Sequence, residues 1–85
     1  MIICLVEFGV LQYTVLLPDG SQVKIDAQEM APSLVSFAQQ YNCQSIKLVG
    51  NYDYVNHFVK VIHEEEIKRY NNQTLNVEVY GRKEQ

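Results

Sequence analysis

The chain has 85 residues, 47% hydrophobic and 20% charged, with seven basic and ten acidic side chains and a net charge of −3. Such a length holds one domain, and such a composition excludes a disordered chain. The basic residues are scattered, their longest cluster being Arg82 and Lys83, which argues against a dedicated nucleic-acid binder, since phosphate binding needs clustered Lys and Arg.

In chain order, Ile2-Ile3-Cys4-Leu5-Val6 is a nearly continuous apolar run. It predicts a strand covered on both faces at the centre of a sheet. Gly9 supplies a turn or bulge. Residues 10–17 then predict a second strand, with Tyr13, Val15 and Leu17 on one face. Pro18-Asp19-Gly20 is the clearest local signal. Pro presets φ for the first turn position and Gly accepts the left-handed one, so residues 17–23 read as a hairpin. Gln22-Val23-Lys24-Ile25-Asp26 alternates as a half-buried edge strand does.

Asp26 and Glu29 have the spacing of a capping box. Pro32 would disturb a helix already under way, so a start near Ala31 is expected. Leu34, Phe37, Ala38 and Tyr41 form its inward stripe, and Asn42 its stop. Residues 45–50 form a short strand with Ile46 and Leu48 inward. Asp53 is the expected N-cap of a second helix of about 17 residues. Its Val55, Phe58, Val59 and Ile62 recur at amphipathic spacing. Glu64, Glu65 and Glu66 read as a solvated face, with Lys68 and Arg69 as i,i+4 partners of the first two. Leu75, Val77 and Val79 alternate in a last strand, which completes a parallel βαβ unit. The resulting expectation is one α/β (α+β) domain over residues 1–81, with a single mixed five-stranded sheet in the chain order β-β-β-α-β-α-β. Residues 82–85 form a polar tail.

Three antiparallel strands followed by α-β-α-β resemble the topological core of the ribonuclease H-like fold. One segment carries the likeness further. Leu48-Val49-Gly50-Asn51-Tyr52-Asp53-Tyr54-Val55 is similar to that family's strand ending in Asp and leading through Ser-x-Tyr-Val into a helix. Tyr54-Val55 matches the Tyr-Val, and Asn51 stands where a catalytic Asp would be. Glu7 and Glu29 would stand near two further carboxylates. The resemblance covers most of the chain as topology and a few positions as sequence. It implies a nuclease or nucleic-acid-binding domain using Glu7, Glu29 and Asp53 with Mg or Mn, two cations held about 4 Å apart by converging carboxylates. Asn51 is neutral and a weaker metal ligand than a carboxylate, which implies an inactive site.

Other chemistry is sparse. His57 and His63 lie six residues apart, so their rings point roughly 120° apart on a helix and cannot make an i,i+4 metal pair. No serine has a nucleophile-elbow context, and the glycines are too dispersed for a phosphate loop. Cys4 and Cys43, lacking CxxC spacing, are expected as free thiols in a reducing compartment, with a single disulfide between them as the alternative. No stretch nears the roughly 20 apolar residues of a membrane span, and residues 1–6 lack the features of a secretory signal, so the expected location is cytoplasmic. Tyr52 and Tyr54 bracket Asp53 at the carboxyl end of a strand, where open sheets tend to bind ligands; Asn51, Tyr52, Asp53 and Tyr54 are the expected binding residues. The functional expectation is a non-enzymatic protein-interaction or regulatory module. It needs no cofactor or metal, its partner is a protein (a second copy included) met at the edge strand Gln22–Asp26 or the Asn51–Tyr54 junction, and its small size and lack of a catalytic motif suggest an accessory protein of a phage or mobile element.

Overall fold

A computed structural model describes residues 2–7 and 12–82, with the backbone alone at 2, 4–7, 54 and 82. Strands β1 (Ile2–Glu7), β2 (Gln12–Leu16) and β3 (Gln22–Asp26) come first. A 3-10 turn, Ala27–Glu29, leads into helix α1 (Met30–Gln40). Strand β4 (Ser45–Asn51), helix α2 (Tyr52–Val55), helix α3 (His57–Tyr70) and strand β5 (Asn76–Arg82) follow. The strands hydrogen-bond in the spatial order β3-β2-β1-β4-β5. The β1–β2 and β2–β3 pairs are antiparallel, and β1–β4 and β4–β5 are parallel.

The fold-class expectation needs correction in its layers and its element order. The α/β half of the expected class, α/β (α+β), gives way to a mixed α+β domain whose long helices share one face. Helices α1 and α3 pack against each other. The residues beneath them are the fully buried alternate positions Val15, Ile46 and Leu48, while Leu16, Lys47 and Val49 on the opposite side stay half-exposed. The seven-element order also fails, because the chain has an added 3-10 turn and a divided second helix. The division falls at Asn56, a weak helix former. There the ladder tightens to an i→i+3 bond, Val59 N–H donating to the Asn56 carbonyl at 3.3 Å.

Local chemistry explains the remaining boundaries. In the β2–β3 hairpin, Gly20 has φ 91° and its N–H donates to the Leu17 carbonyl at 3.0 Å, a conformation that favours glycine. Helix α1 starts at Met30, with Pro32 in its first turn, where a missing N–H costs nothing. Asp26 has the extended backbone of a cap before the 3-10 turn, but its side chain makes no cap hydrogen bond. The α1 C-terminus is a Schellman motif. Asn42 is left-handed at φ 54°, and Cys43 N–H donates to the Ala38 carbonyl at 2.8 Å. Asn71, also at φ 54°, ends α3 with the simpler αL motif, its N–H donating to the Ile67 carbonyl at 2.9 Å. Strand β5 begins after Leu75 and runs on through Gly81 and Arg82, past the expected start of the tail.

The core lies between the helices and the inner sheet face. Ile3, Met30, Leu34, Ile46, Leu48 and Ile62 are its largest fully buried side chains. Tyr13 of β2 meets Phe58 of α3 edge to face, ring centroids 5.4 Å apart.

Candidate functional site

The residues singled out from the sequence gather at the carboxyl ends of β1, β3 and β4. These strands run parallel to one another, β3 through its antiparallel partner β2. Asn51 closes β4, and its side-chain oxygen accepts a hydrogen bond from Asp53 N–H at 3.0 Å. Asn51 therefore caps α2, and the expectation that Asp53 does so is corrected; Asp53 occupies the first turn, where its charge suits the helix dipole. Asn51 and Tyr52 are half-buried and Asp53 is exposed, while the Tyr54 side chain lies outside the described residues. Gly50 and Gly81 face each other in the β4–β5 ladder. A Cβ on Gly81 would overlap the Gly50 carbonyl oxygen and stand 3.0 Å from Tyr52 N. This end is thus a tight strand-to-helix joint. Of the alternative metal-binding carboxylates, Glu29 and Asp53 are exposed and the Glu7 side chain lies outside the described residues. Among the described residues no group of three or more His, Cys, Asp or Glu is placed to hold a metal ion.

The opposite, amino end of the sheet holds what the sequence reading missed. A pocket of about 500 Å³ opens between the last turns of α1 and α3 and the first residues of β4 and β5. Its wall is mostly polar, and Asn42, Gln44, Ser45, Asn76, Glu66 and Tyr70 line it. Glu66 is only 3% exposed, which overturns its reading as part of a solvated face. Its Oε2 accepts hydrogen bonds from Thr74 N–H at 3.0 Å and Thr74 Oγ1 at 3.1 Å. Leu75 N–H is shared between the two carboxylate oxygens, at 3.2 and 3.3 Å. The carboxylate so ties α3 to the loop before β5. The signal was present in the sequence: Ile62, Glu66 and Tyr70 continue the inward stripe at i,i+4 spacing.

The neighbouring charges pair elsewhere. Arg69 Nε bonds to Glu65, as the spacing predicts, and Lys60 rather than Lys68 lies against Glu64, at 3.9 Å. Both pairs are on the helix surface and contribute little. His63 makes no bond with Glu66; its Nδ1 is buried without a hydrogen-bond partner. Cys43 is a free thiol whose pKa is pushed up by burial, which suits a wall residue and not a nucleophile. Cys4 lies outside the described side chains.

The second sheet face is the other candidate surface. No helix of the described residues packs on it. Lys47 pairs with Glu78 across the β4–β5 ladder, and Val49 with Tyr80. The Lys47 ammonium lies 5.4 Å from the centroid of the Tyr80 ring. Asn76 Nδ2 donates to Glu78 at 2.9 Å, and Tyr80 O–H donates to the other Glu78 oxygen, a contact that raises the Tyr80 pKa. Tyr80 is nonetheless 49% exposed. No helix of the described residues is long and apolar enough to cross a membrane.

No family model matches this chain, and no curated protein or solved structure matches it either.

Proposed function

We propose that this chain is a non-enzymatic protein-interaction module whose partner lies across the second face of the sheet. One observation carries the reading: Ile46 and Leu48 are fully buried, yet Leu16, Lys47 and Val49 on the reverse side are half-exposed, with no helix of the described residues over them. Sheets with parallel strands are ordinarily covered on both faces, and an apolar strip rimmed by charge marks an interaction surface. In plan a face of this size measures roughly 400 Å², from strand spacing and length, which suits a small, exchangeable interface.

A photo-crosslinking residue at Val49, compared with one at Lys60 on the outer helix surface, tests this in the native cell. A discrete protein adduct from position 49 and none from position 60 supports the reading, and its mass distinguishes a second copy from another protein. Equal labelling from both positions, or none from either, overturns it. The other expectation, a divergent nuclease using Glu7, Glu29 and Asp53, rests on the convergence of those chain positions at one end of the sheet. A thermal shift with magnesium or manganese that Glu7→Gln abolishes would favour it over a non-enzymatic module.

A further inference from the structure

The amino-end pocket combines three features. It contains a buried carboxylate, Glu66, 3% exposed, with which no basic side chain of the described residues makes an ion pair. Buried charges are ordinarily paired. It sits where α1 and α3 both end, so two helix dipoles present their negative poles to it; Lys68 and Arg69 in the last turn of α3 offset the pole of that helix, while α1 has no basic residue in its last turn. Finally, its wall has no other carboxylate and no basic side chain among the described residues, and Gln39, Asn42, Gln44, Ser45, Thr74 and Asn76 on it are neutral and able to accept hydrogen bonds.

Glu66 has a structural duty as well, but that duty leaves capacity. Three donors converge on Oε2, while Oε1 holds only the longer half of the shared Leu75 bond, at 3.3 Å. An ionised carboxylate has about four lone-pair sites. Tyr70 also lines the pocket, and an aromatic ring attracts a cation placed over its face. The volume, about 500 Å³, lies in the range of small-ligand sites, but the polar wall disfavours an apolar occupant.

We infer that this pocket binds a primary ammonium group on a short alkyl stem, with the Glu66 carboxylate as its counter-charge. A free alkylamine and the side chain of a lysine share that chemistry. The inference is independent of the sheet-face reading, since the pocket lies on the helical side at the sheet's end.

The test is a chemical-shift and thermal-shift titration of the full chain with n-butylammonium, n-butanol and butyrate at constant ionic strength. Saturable stabilisation by n-butylammonium alone, with shifts at Gln44, Thr74 and Asn76, is expected. Glu66→Gln keeps a carbonyl acceptor for the Thr74 and Leu75 donors but removes the charge, and should weaken binding on the order of tenfold or more, the loss of one charge-assisted contact. If that variant does not fold, Gln44→Lys at an exposed position of the rim provides a tethered ammonium, and should abolish the response to the free amine. Comparing n-butylammonium with Nα-acetyl-lysine methylamide distinguishes the sources: tighter binding of the latter points to a lysine of a peptide, tighter binding of the former to a free amine. Equal responses to the amine, the alcohol and the acid, or unchanged amine binding in both variants, would overturn the inference.

Discussion

At the scale of single residues, two positions hold the ends of the sheet. Gly81 is fixed by contact rather than by its own φ, because a Cβ there runs into the Gly50 carbonyl and approaches Tyr52 N to 3.0 Å. Both obstacles are backbone and cannot rotate away. Gly81→Ala should therefore cost about 3 kcal/mol, the upper part of the range for overpacking, read as a lowered urea midpoint. At the other end, Glu66→Ala removes the acceptor for Thr74 N–H, Thr74 Oγ1 and Leu75 N–H. Part-buried donors left unmatched cost about 1–3 kcal/mol each, so a loss of about 2 kcal/mol is expected after water reaches the exposed Thr74, with faster amide exchange at residues 74 and 75. The two positions also differ in legibility. Glu66 stood at the i+4 position after Ile62, but its place in a run of three glutamates suggested a solvated face. Gly81 gave no local sign, because its constraint is a neighbour 31 positions earlier in the sequence, fixed only by the register Gly50↔Gly81.

At the scale of elements, the β2–β3 turn and the end of α1 are joined through one carboxylate. Asp19 accepts from Ser21 N–H at 2.8 Å, from Ser21 Oγ, and from Tyr41 O–H at 2.9 Å. The Ser21 hydroxyl and N–H, then Tyr41, hold the Asp19 pKa below its ordinary 3.8. The same contact raises the Tyr41 pKa above 10.0. The signs set a window. A depressed carboxylate contributes stability above its unfolded pKa and loses it as pH falls through the folded value. A raised phenol contributes below its unfolded pKa and loses it as pH rises through the folded value. The link is thus intact from about pH 4 to about pH 10 and loosens outside that window. Both groups are exposed, so solvent screens the effect and a local probe is needed. Titrating the Tyr41 ring by NMR should give a midpoint above 10.0 that falls in Asp19→Asn, where the acceptor is neutral. An unchanged midpoint would dissolve the link. The turn itself was legible from Pro18-Asp19-Gly20, and the edge position of β3 from the polar Lys24 side. The link to Tyr41 was not, because it spans 22 positions and depends on where a helix ends.

At the scale of the whole molecule, the period-2 burial of β4 separates the two faces of the sheet and makes their roles measurable. Leu48 is fully buried beneath the helices; its neighbour Val49 stands on the other side, opposite Tyr80. Leu48→Ala should cost about 2–5 kcal/mol, the removed transfer energy together with the cavity left in a thin core. Val49→Ala removes side-chain atoms that are already half-exposed and have no helix of the described residues above them, so a change within about 0.5 kcal/mol is expected, as for a surface position. Urea denaturation of both variants of the isolated chain decides this. A large loss at Val49 would mean that the second face is structural in the monomer. A small loss leaves the face free for a partner, and the same substitution should then weaken association while leaving folding intact. Two adjacent residues with opposite consequences are what a one-sided sheet requires. The sequence could not reveal this, because the apolar run at residues 2–6 reads alike whether its second face is covered by the chain's own helices or by another molecule.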